Sequence, residues 1–321
     1  MTVQNRGPGA PLDPVKFQHP DRTATGERRA AVGLTALNTL WFNTGTLCNL
    51  TCESCYIESS PTNDRLVYIS LAEVTAYLDE ISADDLGTTE IGFTGGEPFM
   101  NPDFCAMLEQ TLSRGLQTLV LTNAMRPMMK CADALLDLKA RYGSQLLLRV
   151  SLDHHTAELH EMVRGSYSWK TAIEGLRWLS DNGFNIHVAS RTCWNEPDPA
   201  MRAGFAKMFE KEGIAVDAND PVATMLLPEM DQGLDVPEIT EQCWDILGVS
   251  PDAMMCATSR MVVKRKGADQ PVVTPCTLLP YDEAFDMGHT LSEAASAVKL
   301  NHPHCARFCV LGGGACSRSA A

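Results

Sequence analysis

The chain has 321 residues, 45% hydrophobic and 21% charged, the composition of a globular protein of one large or two ordinary domains rather than a disordered or fibrous chain. Its formal charge of −14 opposes binding to polyanions, so nucleic acid is not an expected partner. With no long apolar run and no signal-type N-terminus, the sequence reads as a soluble, unexported, cytoplasmic protein without a membrane partner.

Residues 1–35 mix Pro, Gly, Arg, Asp and Gln without hydrophobic period, which predicts a flexible arm. From Leu37, short β-rich runs alternate with helical patterns, the sign of βαβ units and a parallel sheet. The first strand, Leu37 to Phe42, runs into a cysteine-bearing loop. A helix begins near Ser70, which with Glu73 has the spacing of a capping box. The strand Glu90 to Thr94, a helix from Pro102 to Arg114 and the strand Thr118 to Thr122 follow. The helix Ala132 to Arg141 precedes the strand Leu146 to Leu152, whose nearly unbroken apolar run suits a sheet covered on both faces. A helix from Trp169 ends before Gly183, a C′ glycine, and leads to the strand Asn185 to Ser190. The helix Ala200 to Lys211 and strands near Ile214 and Val222 complete a set of six or seven strands. Such units form an open twisted sheet or a partial barrel, and either gathers functional groups at the carboxyl ends of its strands.

Twelve cysteines in an unexported chain point to metal or catalytic use rather than to disulfides. Cys48, Cys52 and Cys55 share one short loop, spaced Cys-x3-Cys-x2-Cys, and can reach three corners of one cubane. A [4Fe–4S] cluster normally takes four thiolates, so the fourth iron is left open, as in metal centres that bind a substrate or cofactor. The competing reading, a zinc knuckle, usually has paired Cys-x2-Cys halves, of which this loop offers one.

The loop, including the aromatic Tyr56 after it, resembles the cluster motif of the radical S-adenosylmethionine (SAM) superfamily. Thr94-Gly95-Gly96-Glu97-Pro98 after the second strand resembles that superfamily's Gly-Gly-Glu-Pro stretch. The resemblance implies that Gly95, Gly96, Glu97 and Pro98 contact the methionine moiety of SAM, with Glu97 as acceptor for its ammonium. Asn123 at the end of the third strand, Ser151 and Asp153 at the end of the fourth, Arg164 and Arg191 resemble further cofactor-binding positions, although Ala124 stands where many members have glycine. The implied fold is α/β, a partial (β/α)6 TIM-like barrel. The implied reaction is reductive cleavage of SAM to methionine and a 5′-deoxyadenosyl radical that abstracts hydrogen from substrate.

Cys256 and Cys276 flank two β-rich runs joined by a turn at Gly267, and Cys305, Cys309 and Cys316 follow in a Gly-rich terminal loop. This pattern resembles the SPASM and Twitch extensions of radical SAM enzymes and implies an auxiliary [4Fe–4S] cluster. Chain order favours Cys256, Cys276, Cys309 and Cys316 as its ligands, with Cys305 as a rival to the last two and structural zinc as the competing metal. The expected organisation is an arm over 1–35, a radical SAM core over 36–235 and a small cysteine-rich β-hairpin and loop domain over 236–321. Cys193, His154 and His155, close to strand ends, are candidates for a catalytic role; Trp194, Asn195 and Glu196 are candidates for the substrate pocket.

These features imply an oxidoreductase acting on a small molecule or a peptide side chain, with net oxidation or cross-linking, supplied with electrons by flavodoxin or ferredoxin. Since no folded leader-binding domain is visible in the sequence, a small metabolite is the slightly favoured substrate. The alternative is an iron–sulfur electron-transfer or carrier protein that binds no SAM.

Overall fold

A computed structural model describes residues 9–53, 55–228 and 230–314. Its strands and helices in chain order are β1 (Ala31–Val32), β2 (Thr39–Asn43), α1 (Leu71–Ala83), β3 (Glu90–Thr94), α2 (Phe104–Leu112), β4 (Gln117–Thr122), α3 (Arg126–Met129), α4 (Ala132–Tyr142) and β5 (Leu146–Ser151). Then come α5 (Ala157–Arg164), α6 (Ser168–Asp181), β6 (Asn185–Arg191), α7 (Asp198–Glu212), β7 (Thr224–Leu227), α8 (Cys243–Leu247), β8 (Ser259–Val263), β9 (Val272–Thr274) and β10 (Val298–Lys299).

One sheet of eight strands, ordered β7-β6-β5-β4-β3-β2-β8-β9, organises the chain. All neighbours from β7 to β8 are parallel, and β9 joins antiparallel at one edge. The sheet does not close among the described residues, giving a partial α/β barrel. Period-two alternation divides its strands. Leu40, Phe42, Ile91, Phe93, Leu146, Leu148 and Val150 face the helices in the largest apolar cluster. Trp41, Leu119, Leu147, Met261 and Val263 form a separate cluster on the other face. Gly92 makes room for the Trp41 indole there, since a Cβ at position 92 would lie 2.3 Å from the ring.

Local signals held where they were strong. Ser70 and Glu73 form both arms of the capping box that opens α1, and Gly183 has a φ of 64° just after α6. Of the two strands expected near Ile214 and Val222, Ile214 is a buried loop residue and β7 begins at Thr224.

Two expectations need correction. From residue 9 onward the N-terminal segment is packed rather than loose. Leu12 N donates to Gly233 O (2.8 Å), Ala30 N donates to Ile239 O (2.9 Å), and β1 pairs with β10. The buried Arg29 guanidinium pairs with Glu238 and donates to His19 O (3.0 Å). The cysteine-flanked hairpin is present as β8 and β9, but it extends the main sheet through β2 rather than standing apart. The chain after residue 235 therefore shares the sheet of the core, although Cys256, Cys276 and Cys305 sit in their own apolar cluster.

Candidate active site

A cavity of about 180 Å³ opens at the carboxyl ends of the parallel strands. Cys48, Cys52 and Cys55 line it from the loop after β2, together with Tyr56, Gly95, Gly96, Asn123, Ser151, Asp153, Arg164 and Arg191, so most of the residues singled out from the sequence converge on one space.

Backbone bonds to the β3 and β4 ends hold the cysteine loop. Thr44 N donates to Thr94 O (2.8 Å), Gly96 N to Gly45 O (2.8 Å) and Glu97 N to Leu47 O (3.1 Å). The approach is so close that a Cβ on Gly96 would lie 2.2 Å from Leu47 O, and one on Gly95 would lie 2.6 Å from Gly45 O. These two glycines are thus required by the cysteine loop itself.

The thiols sit in a low-dielectric pocket. Burial pushes the Cys48 thiol up to about 12; the Leu50 N–H (3.4 Å) opposes this, while Glu97, Cys52 and Cys55 add to it. Burial also raises Cys52, against the attraction of the Arg164 guanidinium. Burial favours the neutral thiols of Cys48 and Cys52, so a cation sharing the pocket, as at a metal centre, would favour their thiolates. Among the described residues, no three cysteine sulfurs lie within 4.8 Å of one another.

Asp153 anchors the opposite wall. Its carboxylate accepts from Arg164 Nε (2.8 Å) and Arg164 Nη2 (3.1 Å), and Arg191 Nε lies 3.4 Å away. Burial pushes its carboxyl up, but the two guanidinium groups outweigh this and hold it below the usual carboxylate range. Asp153 is therefore already paired with protein cations.

The Glu97 carboxylate accepts from Thr122 Oγ1 (2.8 Å), Asn123 N (2.9 Å) and Phe99 N (3.3 Å), and neither Glu97 nor Pro98 lines the cavity. With three donors seated on it, the side chain braces the β3 and β4 ends. His154, His155 and Cys193 also lie outside the cavity lining.

Sequence reasoning missed Arg149, Met225, Leu278 and Phe308, which line the cavity. The one signal was Arg149, a charge inside the apolar run of β5 and buried to 2% exposure. Leu278 and Phe308 come from distant chain, and nothing local marks them.

The second cysteine group lies behind this wall. Cys256, Cys276 and Cys305 are buried in one apolar cluster with Cys309 packed against it; Cys316 lies outside the described residues. Burial pushes Cys256 up to about 11, opposed by Arg260, and pushes Cys305 up to about 12, with Cys256 adding to it. Phe308 occupies the π-helical turn Cys305–Val310 between two of these cysteines.

The partial α/β barrel sets three cysteines beside a strand-end cavity, an arrangement that could hold an iron–sulfur cluster. The family model described as Radical SAM superfamily matches residues 42–194, and the chain carries a radical SAM domain. Such a domain binds a [4Fe–4S] cluster and SAM. The chain is 30% identical over 160 residues to the antilisterial bacteriocin subtilosin biosynthesis protein AlbA of Bacillus subtilis, covering 48% of this chain and 34% of AlbA. It is 28% identical over 137 residues to mycofactocin maturase MftC of Mycolicibacterium smegmatis, covering 43% of this chain and 33% of MftC. The chain thus spans about a third of the length of these relatives. Streptococcus suis SuiB bound to SAM shares the fold, with a TM-score of 0.57, 12% identity, and coverage of 79% of this chain and 63% of SuiB. So does anSMEcpe with bound SAM, with a TM-score of 0.53, 14% identity, and coverage of 80% and 79%. Among the described residues, no helix is long and apolar enough to cross a membrane.

Proposed function

We propose that this chain is a peptide-modifying radical SAM maturase. The observation that carries the reading is the convergence of Cys48, Cys52 and Cys55 with Gly95, Gly96, Ser151, Asp153, Arg164 and Arg191 on one cavity. The chemistry a bound [4Fe–4S] cluster would supply here is one-electron reduction of SAM. Cys48, Cys52 and Cys55 would hold the cluster. The Arg164–Asp153–Arg191 network would present fixed polar groups to the nucleoside sulfonium. The apolar wall of Leu121, Met225, Leu227 and Phe308 would keep water from the reacting centre.

The similarity to AlbA and MftC supports a peptide substrate over the small metabolite that the sequence slightly favours. Cys256, Cys276 and Cys305, with Cys309 beside them, fit an auxiliary centre, and Cys305 rather than Cys309 is then the better core ligand because it is buried with the first two. A cluster held there would supply an electron acceptor, which favours net oxidation such as a cross-link. A flavodoxin or ferredoxin would reduce the first cluster.

The test uses synthetic peptides for the short reading frames adjoining the gene, incubated anaerobically with reconstituted protein, SAM and dithionite. One peptide should lose two hydrogens by mass spectrometry. Unchanged peptides, alongside steady consumption of a small metabolite, would return the substrate to the metabolite class.

A further inference from the structure

The loops after β5 and β6 bring together His154, His155 and Glu196, all outside the cavity lining. One ring nitrogen from each histidine and one oxygen of the carboxylate lie within 4.8 Å of one another. His154 Nε2 is 3.0 Å from Glu196 Oε1, and its Nδ1 is 2.9 Å from Thr156 Oγ1 and 3.0 Å from Thr156 N. The two ring centroids lie 4.0 Å apart with the planes tilted by 31°, and Trp194 meets His154 in a T-shaped contact at 4.9 Å.

Two further features point to a ligand. His155 Nδ1 is buried without a hydrogen-bond partner, which an ordinary histidine pair leaves only at a cost. Gly204 lies within the 15-residue helix α7, where a Cβ would come 2.3 Å from His155 Nε2, so the helix surface is cut away to seat the ring. A simple His154–Glu196 hydrogen bond needs neither His155 nor this recess. A general acid–base pair would have to reach the cavity, which these side chains do not line.

We propose that His154, His155 and Glu196 form a mononuclear site for a zinc-type divalent transition cation. Two imidazoles and one carboxylate, with a fourth position for water, are a ligand set that zinc accepts. Zinc bonds of about 2.0–2.2 Å put tetrahedral ligand atoms about 3.3–3.6 Å apart, so side-chain adjustment alone can close the trio around the ion. Thr156 N–H donates to His154 Nδ1 (3.0 Å), so giving Nε2 to the metal requires that this bond be released and that Nδ1 take the proton, with Thr156 Oγ1 (2.9 Å) as its acceptor. The ion would join the loop after β5 to the loop after β6. Asp153 and Arg191 stand on these same segments and line the cavity, so the metal would stiffen that wall from behind.

The test uses full-length protein with its iron–sulfur sites reconstituted, freed of adventitious metal by chelator and then equilibrated with zinc chloride. Metal analysis after gel filtration should find one zinc retained by the parent. Glu196→Gln, chosen because it changes a partly exposed loop side chain by little volume, should bind it at least about tenfold more weakly at unchanged iron content. His155→Ala should do the same, and zinc should raise the thermal midpoint of the parent but not of E196Q. Cobalt(II) in place of zinc should give ligand-field bands without sulfur-to-cobalt charge transfer. Equal zinc retention by parent and E196Q at equal iron, or a charge-transfer band showing cysteine ligation, would overturn the site.

Discussion

Tyr281 donates a 2.6 Å hydrogen bond from its hydroxyl to the carbonyl of Ile57, a buried residue that lines the cavity two positions after Cys55. The hydroxyl also accepts from Asn63 Nδ2 (3.2 Å), and the Arg65 guanidinium lies 3.6 Å from the ring centroid. A residue from beyond the β8–β9 hairpin thereby pins the loop that carries the cluster cysteines. Tyr281→Phe keeps the ring and removes the donor, so unfolding free energy should fall by about 1–3 kcal/mol. The electron paramagnetic resonance signal of the reduced cluster should shift. An unchanged signal with unchanged stability would show that the hydroxyl does not hold the loop.

Gly96→Ala tests the seating of the cysteine loop. The added Cβ would meet backbone oxygens of Leu47 and Thr46 at 2.2 and 2.7 Å, neither of which can swing aside as a side chain would. Iron content of purified protein should drop to less than about half while far-UV circular dichroism stays native. Gly115→Ala is the control. Its φ of 81° is strained for alanine, but no heavy atom lies within 4 Å of the new carbon, so it should lower stability without loss of iron.

Glu97 gives a pH signature. Burial outweighs the hydrogen bonds from Asn123, Thr122 and Phe99 and raises its carboxyl from 4.5 to about 7. Across that window the folded state keeps a proton that the unfolded chain has released. The stability linked to this group is therefore fully present below pH 4.5, declines as pH rises, and is gone above about pH 7. Glu97→Gln removes the titration, so its thermal midpoint should fall less than the parent's between about pH 5 and about pH 7.5. Parallel profiles would contradict the burial argument.

Arg260 supports the base of the hairpin. Its buried guanidinium donates to Ala294 O (2.8 Å), Cys256 O (2.6 Å), Ser259 O (2.8 Å) and Ser296 O (3.2 Å). Arg260→Met keeps volume but leaves several buried carbonyls without donors, and denaturant unfolding should show a loss of about 3–5 kcal/mol. A loss below about 1 kcal/mol would mean that water replaces these bonds.

The barrel strands and the cysteine trio were legible in the sequence because both are local patterns, period-two or helical alternation in one case and a tight spacing in the other. The destination of Glu97 was not, because its partners Thr122 and Asn123 are about a βα unit away and several burial patterns are compatible with a Gly-Gly-Glu-Pro loop. The N-terminal segment misled for the same reason. Its low hydrophobic content is offset by Arg29 pairing with Glu238 across 209 positions, and composition carries no trace of such a pair. His154, His155 and Glu196 were each visible, yet only the fold sets the β5 and β6 loops side by side.

Cleavage of the cofactor tests the account most directly. Anaerobically reconstituted protein, given SAM and dithionite, should release methionine and 5′-deoxyadenosine in equal amounts by liquid chromatography and mass spectrometry, and Cys52→Ala should abolish both. Intact SAM in the presence of a fully loaded, reducible cluster, or undiminished cleavage by the Cys52→Ala variant, would contradict it.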